Sequence, residues 1–208
     1  MAKLLSRRRF LGDIADRLAL RGNGAVIGVG SGRFCSKLRE RWHGTMLYCI
    51  DPWELRGDAT LPGGTGSKAL LGGLRRKAYK GMRAKHNLDT FELAQGFSAE
   101  EKTRFPLGSL DLVYFDAQHN GRASYEAFKE DLLDWLPRVR QGGLIMGLGF
   151  CDPRRDACVV ARGGRASGSP DPPVGVHRAV MEVAGALGKG LFVTAEGKPM
   201  ERSFIMVR

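Results

Sequence analysis

Short apolar runs alternate with amphipathic stretches along the chain, and this alternation limits the fold more than any other feature. The runs lie at 24–29, 46–50, 90–95, 110–115 and 144–150. Each is short and bounded by Gly, Pro or Asp, the pattern of strands covered on both faces. Between them, apolar residues recur at intervals of three and four, as helices require. Residues 33–42 carry Phe34, Leu38 and Trp42, and 67–86 carry Leu71, Leu74, Ala78 and Met82. A helix with Tyr125, Phe128, Leu132 and Trp135 is stopped by Pro137, and another near 175–187 aligns Val176, Val180, Val183 and Leu187. Ser98 and Glu101 have capping-box spacing, which predicts a short helix starting there. LFVTA and SFIMV close the chain as two strands with no helix between them, joined by EGKPMER as a hairpin turn. The order predicts an α/β fold: a doubly wound, mostly parallel sheet with helices on both faces and one late strand antiparallel. The 208 residues suffice for one domain, and no internal repeat is visible.

Glycines mark the end of the first strand. In GAVIGVGSGRF, Gly28, Gly30 and Gly32 stand at alternate positions, with a strand before and a helix after. Bare backbone beside a helix N-terminus lets a ligand approach closely and meet free N–H groups. Asp51 ends the second strand, nineteen residues after Gly32. An acid there accepts hydrogen bonds from the two hydroxyls of a ribose. The pattern GxGxG is weak alone, and a tight turn with a strand-ending Asp-Pro is the plainer alternative.

Four segments in this order and spacing carry a family resemblance: IGVGSGRF, CIDPW, GSLDLVYFDAQHN and LPRVRQGGLI. Over residues 5 to 150 the chain resembles the class I S-adenosylmethionine-dependent methyltransferases, especially the small branch grouped as methyltransferase family 24. The resemblance implies a Rossmann-like seven-stranded sheet of order 3-2-1-4-5-7-6, with strand seven antiparallel, and S-adenosylmethionine as cofactor. It places Gly28, Val29, Gly30, Ser31 and Gly32 along the cofactor's methionine and ribose, and Asp51 on the ribose diol. Pro52 and Trp53 would flank the adenine, with Phe97 and Ser98 beside its ring. Asp116 would face the reacting methyl group or the acceptor. Two positions depart from the pattern. Val26 stands where relatives carry an acid, and Gly147-Leu148-Gly149 stands where metal-dependent relatives carry ligands, so no metal is expected.

Methyl transfer needs an aligned nucleophile and often a base. Asp116 and His119 are the nearest candidates, with a loop-ordering histidine and a turn carboxylate as the structural alternatives. Tyr125 reads as core and His177 as surface. The leading activity is methylation of an oxygen or nitrogen of a small molecule. The alternatives are a fold-retaining binding or assembly subunit without the reaction, and a nicotinamide dehydrogenase using the same glycine loop. The second lacks the usual dinucleotide spacing.

The charge balance is basic: 33 Lys and Arg against 22 Asp and Glu, net +11. Such a field favours anionic partners, or simply a solvated surface. Arg75, Arg76, Lys77, Lys80 and Arg83 form a basic face suited to phosphates, without an accompanying RNA-reading aromatic cluster. Nucleic acid is thus a secondary partner reading, and self-association is open. No stretch is apolar enough to span a membrane. Cys35, Cys49, Cys151 and Cys158 form no CxxC pair, which fits reduced thiols in a cytosol-like compartment. SRRRFL matches a twin-arginine export string, but Asp13, Asp16 and Arg17 break the apolar stretch that must follow. Residues 1–22 instead read as an amphipathic helix, with Leu11, Ile14 and Leu18 on one face, packed on a domain of 23–208. The expected location is cytoplasmic, with organellar import left open. Residues 152–173 show no periodicity and read as a loop; with 53–66 they would shape the acceptor pocket.

Overall fold

A computed structural model of the chain describes residues 10–54, 67–116, 125–150, 172–194 and 202–208. Its strands are β1 (Asn23–Ile27), β2 (Met46–Asp51), β3 (Phe91–Gln95), β4 (Leu110–Phe115), β5 (Val139–Leu148), β6 (Leu191–Val193) and β7 (Ser203–Val207). Its helices are α1 (Leu11–Arg17), α2 (Arg33–Arg41), α3 (Ser67–Arg83), α4 (Ser98–Glu101), α5 (Tyr125–Trp135) and α6 (Pro172–Leu187). One sheet of order β3-β2-β1-β4-β5-β7-β6 results. β1 to β5 run parallel, and β7 runs antiparallel to both β5 and β6. The expected order and the antiparallel late strand are both present.

Alternate residues of the central strands feed two cores. Ala25, Ile27, Val113, Phe115 and Ile145 pack with Phe128, Leu132 and Trp135 of α5 and with Val176, Val180 and Val183 of α6. Val26, Leu47, Cys49, Leu112, Tyr114 and Met146 pack with Leu11 of α1, Leu38 of α2, and Ala78 and Met82 of α3. Burial on both faces explains the unbroken apolar runs. Cys35 and Cys49 are both buried, and Cys49 is a free thiol. Among the described residues, no helix is long and apolar enough to cross a membrane.

Several local expectations are corrected. Leu18 does not share the buried face of α1: it is 52% exposed. The helix stops at Arg17, and Ala19 takes a left-handed φ of 54°, so the chain turns and delivers Leu20 to the core instead. The capping box at Ser98 does not form; Phe97 holds the cap position without a side-chain bond. The Ser98 hydroxyl is drawn away by α5, accepting from Trp135 Nε1 and donating to Asp131 Oδ1, each at 2.8 Å. A buried indole N–H needs an acceptor, and here that need prevails over capping. β5 starts at Val139, before Gly142-Gly143, which lies inside the strand at a register shift against β4. The EGKPMER turn and the 152–173 loop fall mostly outside the described residues.

Candidate functional site

The carboxyl ends of β1, β2 and β4 meet at one point. Gly28 N donates to the Ile50 carbonyl at 2.9 Å, and Asp116 N donates to the Ile27 carbonyl at 2.7 Å. The three glycines have left-handed φ values of 86°, 54° and 76°, which explains their identity as a group. Their surroundings differ. A Cβ on Gly28 would lie 2.7 Å from the Asp116 carbonyl oxygen, and one on Gly32 would lie 2.9 Å from Ala78 Cα of α3. Both are bare because the protein itself presses on them. A Cβ on Gly30 would meet no described residue within 4 Å. Gly30 alone of the three turns bare backbone toward open space, a place a ligand can enter.

Asp51 organises this loop. Its Oδ2 accepts from the backbone N–H of Val29 and of Gly30, both at 2.8 Å, and its Oδ1 accepts from Trp53 N at 2.7 Å. A carboxylate offers about four acceptor positions, so three are used by the chain's own N–H groups. One remains for a ligand hydroxyl; a grip on two requires a loop N–H to yield. Trp53 folds back over the same loop. Its φ of 43° is left-handed, its side chain is buried, and its indole N–H donates to the Gly30 carbonyl at 2.8 Å. Sequence reasoning placed this indole against a ligand and missed its part as a strap on the glycine turn. Pro52 accepts from Gln95 Nε2 at 3.1 Å, and the Asp51 carbonyl accepts from Gly96 N at 3.3 Å, so β3 closes one side.

The structure thus brings together Gly28, Val29, Gly30, Asp51, Pro52, Trp53 and Asp116. Ser31 and Gly32 lead from this point into α2. Phe97 follows β3, while the Ser98 side chain is committed to α5. Asp116 is half-buried beside Gly28. His119 lies outside the described residues. Tyr125 is partly buried on the α5–α6 side, its hydroxyl bonded to Glu182, and the His177 ring lies 4.8 Å from that of Phe150. Gly147 is excluded from ligand work by packing, since a Cβ there would lie 2.5 Å from the Phe204 ring.

The residues present fit an adenosyl cofactor in one respect. Gly30 offers an open cradle that any side chain would fill, next to a carboxylate with an acceptor position left.

On the helix side of the glycine turn lies a separate groove of about 640 Å³ between α2 and α3. Ser31, Gly32, Arg33, Ser36 and Lys37 line one wall, and Leu74, Lys77, Gly81 and Lys85 the other. At its end, Ser36 Oγ and His86 Nε2 are 3.0 Å apart. Partial burial pushes the His86 imidazole below its ordinary value, partly offset by Glu40.

Comparison with known proteins agrees with this geometry. Among solved structures, the O-methyltransferase TomG of Streptomyces achromogenes, in complex with S-adenosylmethionine, superposes with a TM-score of 0.62 at 17% identity, covering 96% of this chain and 78% of that one. The O-methyltransferase of Bacillus cereus, in complex with S-adenosylhomocysteine, gives 0.56 at 16% identity, covering 97% and 80%. Spermidine synthase of Thermotoga maritima gives 0.60 at 11%, covering 96% and 58%. At such identities the likeness is one of fold. No curated protein sequence matches the chain. The sequence profile described as "Methyltransferase domain" matches residues 24–147, from the start of β1 nearly to the end of β5. The chain therefore belongs to the methyltransferase-domain family, with the class I, S-adenosylmethionine-dependent fold.

Proposed function

We propose that this enzyme methylates an oxygen or nitrogen of a small molecule, with the cofactor lying across the tips of β1 and β2. The observation that carries the reading is the joint placement of open backbone at Gly30, the Asp51 carboxylate and the half-buried Asp116 at one confluence of strand ends. Ligands of open parallel sheets bind there.

When bound, S-adenosylmethionine supplies an electrophilic methyl group on a sulfonium. The chain's own residues do the rest. Asp51 accepts a hydroxyl of the sugar while keeping the glycine turn in shape. Gly30 gives van der Waals room. Asp116 orients the acceptor, and His119, proposed as base, takes the acceptor's proton as its new bond to carbon forms. An imidazole near neutrality suits that transfer.

Calorimetric titration with S-adenosylmethionine and S-adenosylhomocysteine tests the cofactor reading. Micromolar binding is expected, and Asp51→Ala should weaken it at least about tenfold, as losing a partly buried charged acceptor costs roughly 1–3 kcal/mol. Silence of the wild-type chain at millimolar cofactor would overturn the proposal. His119→Ala should slow labelled methyl transfer to a panel of phenols and amines without changing cofactor affinity; unchanged turnover removes it from the mechanism.

A further inference from the structure

Between Ser67 and His86 the sequence carries seven Lys or Arg and no Asp or Glu. Of these, Arg75, Arg76, Lys77, Lys80, Arg83 and Lys85 are exposed. Across the groove, Arg33 and Lys37 are exposed one turn apart on α2. Lys77 on α3 and Lys85 just past its end face them, with Gly81 midway, where a Cβ would meet no described residue within 4 Å. Lys85 is paired with Glu40 at 3.0 Å. Among the described residues, Arg33, Lys37, Arg75, Arg76, Lys77 and Lys80 make no ion pair. Mutually repelling cations with no internal counter-charge cost stability, which an external anion would recover.

We propose that the α2–α3 groove and the outer face of α3 dock the phosphate backbone of a nucleic acid. Length favours a chain of phosphates over a single one: the cations of α3 run from Arg75 to Arg83, about 12 Å of helix, with Lys85 just beyond its end. Tyr79, 47% exposed with the Arg83 guanidinium 5.1 Å from its ring centre, adds a surface on which a base can stack. A lipid surface fits less well. A basic helix binds a bilayer by burying its apolar stripe, and here Ala78 and Met82 of that stripe are fully buried in the core. What faces solvent is a concave, charged trough. The docking needs no methyl transfer, and it brings the strand beside Ser31 and Gly32 without entering the space at Gly30.

The test is fluorescence anisotropy of a short labelled single-stranded RNA, and of its DNA counterpart, with the full chain and no cofactor. Affinity should fall with salt with a logarithmic slope of about −3, some four phosphates at roughly −0.7 each. The pair Lys37→Gln and Lys77→Gln should flatten that slope by about 1.4 and weaken binding about tenfold at about 50 mM salt. Both side chains are exposed and belong to the repelling set, so the thermal midpoint should hold or rise, never fall. Lys189→Gln, beyond α6 on the other face of the sheet, should change nothing. Absence of binding at low salt, an equal loss from Lys189→Gln, or stronger binding to phosphatidylserine vesicles than to either oligonucleotide would overturn the proposal. Cofactor titration is independent of all three outcomes, so failure here leaves the methyl-transfer reading standing.

Discussion

Gly28 and Gly30 look alike in sequence and do different things. Gly28→Ala puts a Cβ 2.7 Å from the Asp116 carbonyl at a φ of 86°, so both strain and a clash with backbone oppose it. A residue forced into such a region costs about 1–3 kcal/mol before the clash is counted. Its chemical unfolding midpoint should fall clearly. Gly30→Ala meets only the strain, roughly 1–2 kcal/mol, yet its methyl group fills the open cradle. It should therefore abolish cofactor binding at modest cost to stability. If the two variants lose binding and stability in the same proportion, the open space at Gly30 is not where the ligand lies. The glycine spacing was legible in sequence, because positive φ selects glycine. Which glycine serves packing and which serves a ligand was not, because Asp116 and Ala78 arrive from distant parts of the chain. Asp51 was singled out by its place at the end of β2, while its three backbone N–H partners depend on how the turn closes.

Elements were read best where one period decides them. The strands β1 and β4 and the helices α2 and α5 are near their expected bounds, because each buries one continuous set of side chains. Errors fell where a partner outside the element decides: Trp135 takes the Ser98 hydroxyl from its cap, and β4 extends β5 back to Val139. The α2–α3 pair shows the same dependence on partners. Its Ser36–His86 contact holds a histidine whose pKa burial has lowered from 6.5. Below pH 6.5 the unfolded chain takes up a proton that the folded protein resists. Stability should then drop as pH falls through that value and level off below the folded pKa. Thermal midpoints measured from pH 8 to pH 5 should show this drop, and His86→Gln should flatten it. An unchanged profile in the variant would mean that other groups carry the acid sensitivity. Glu182 adds a later loss: Lys129, Tyr125 and Arg178 hold its carboxyl at about 2. Its contribution is present above the ordinary carboxylate value and disappears only as pH falls through about 2.

At the scale of the whole molecule, charge and topology set the behaviour. A net charge of +11, with much of it gathered on α3, implies self-repulsion relieved by screening. Raising salt from about 10 to about 150 mM shortens the Debye length to about 8 Å. The melting temperature should rise with it, the opposite of what a chain held together by surface ion pairs would do. A flat or falling temperature would show that the Glu182 cluster and its like outweigh the basic helix. Topology has a different reach. β7 lies between β5 and β6, so the ten-residue β5 has a neighbour on that side only after Ser203–Val207 is in place. A nascent chain emerging from the ribosome must therefore hold β1 to β5 with one long apolar edge unpaired until β7 is synthesised. Stalling just upstream of Ser203 would leave a sticky border suited to chaperone capture or to pairing with another incomplete copy.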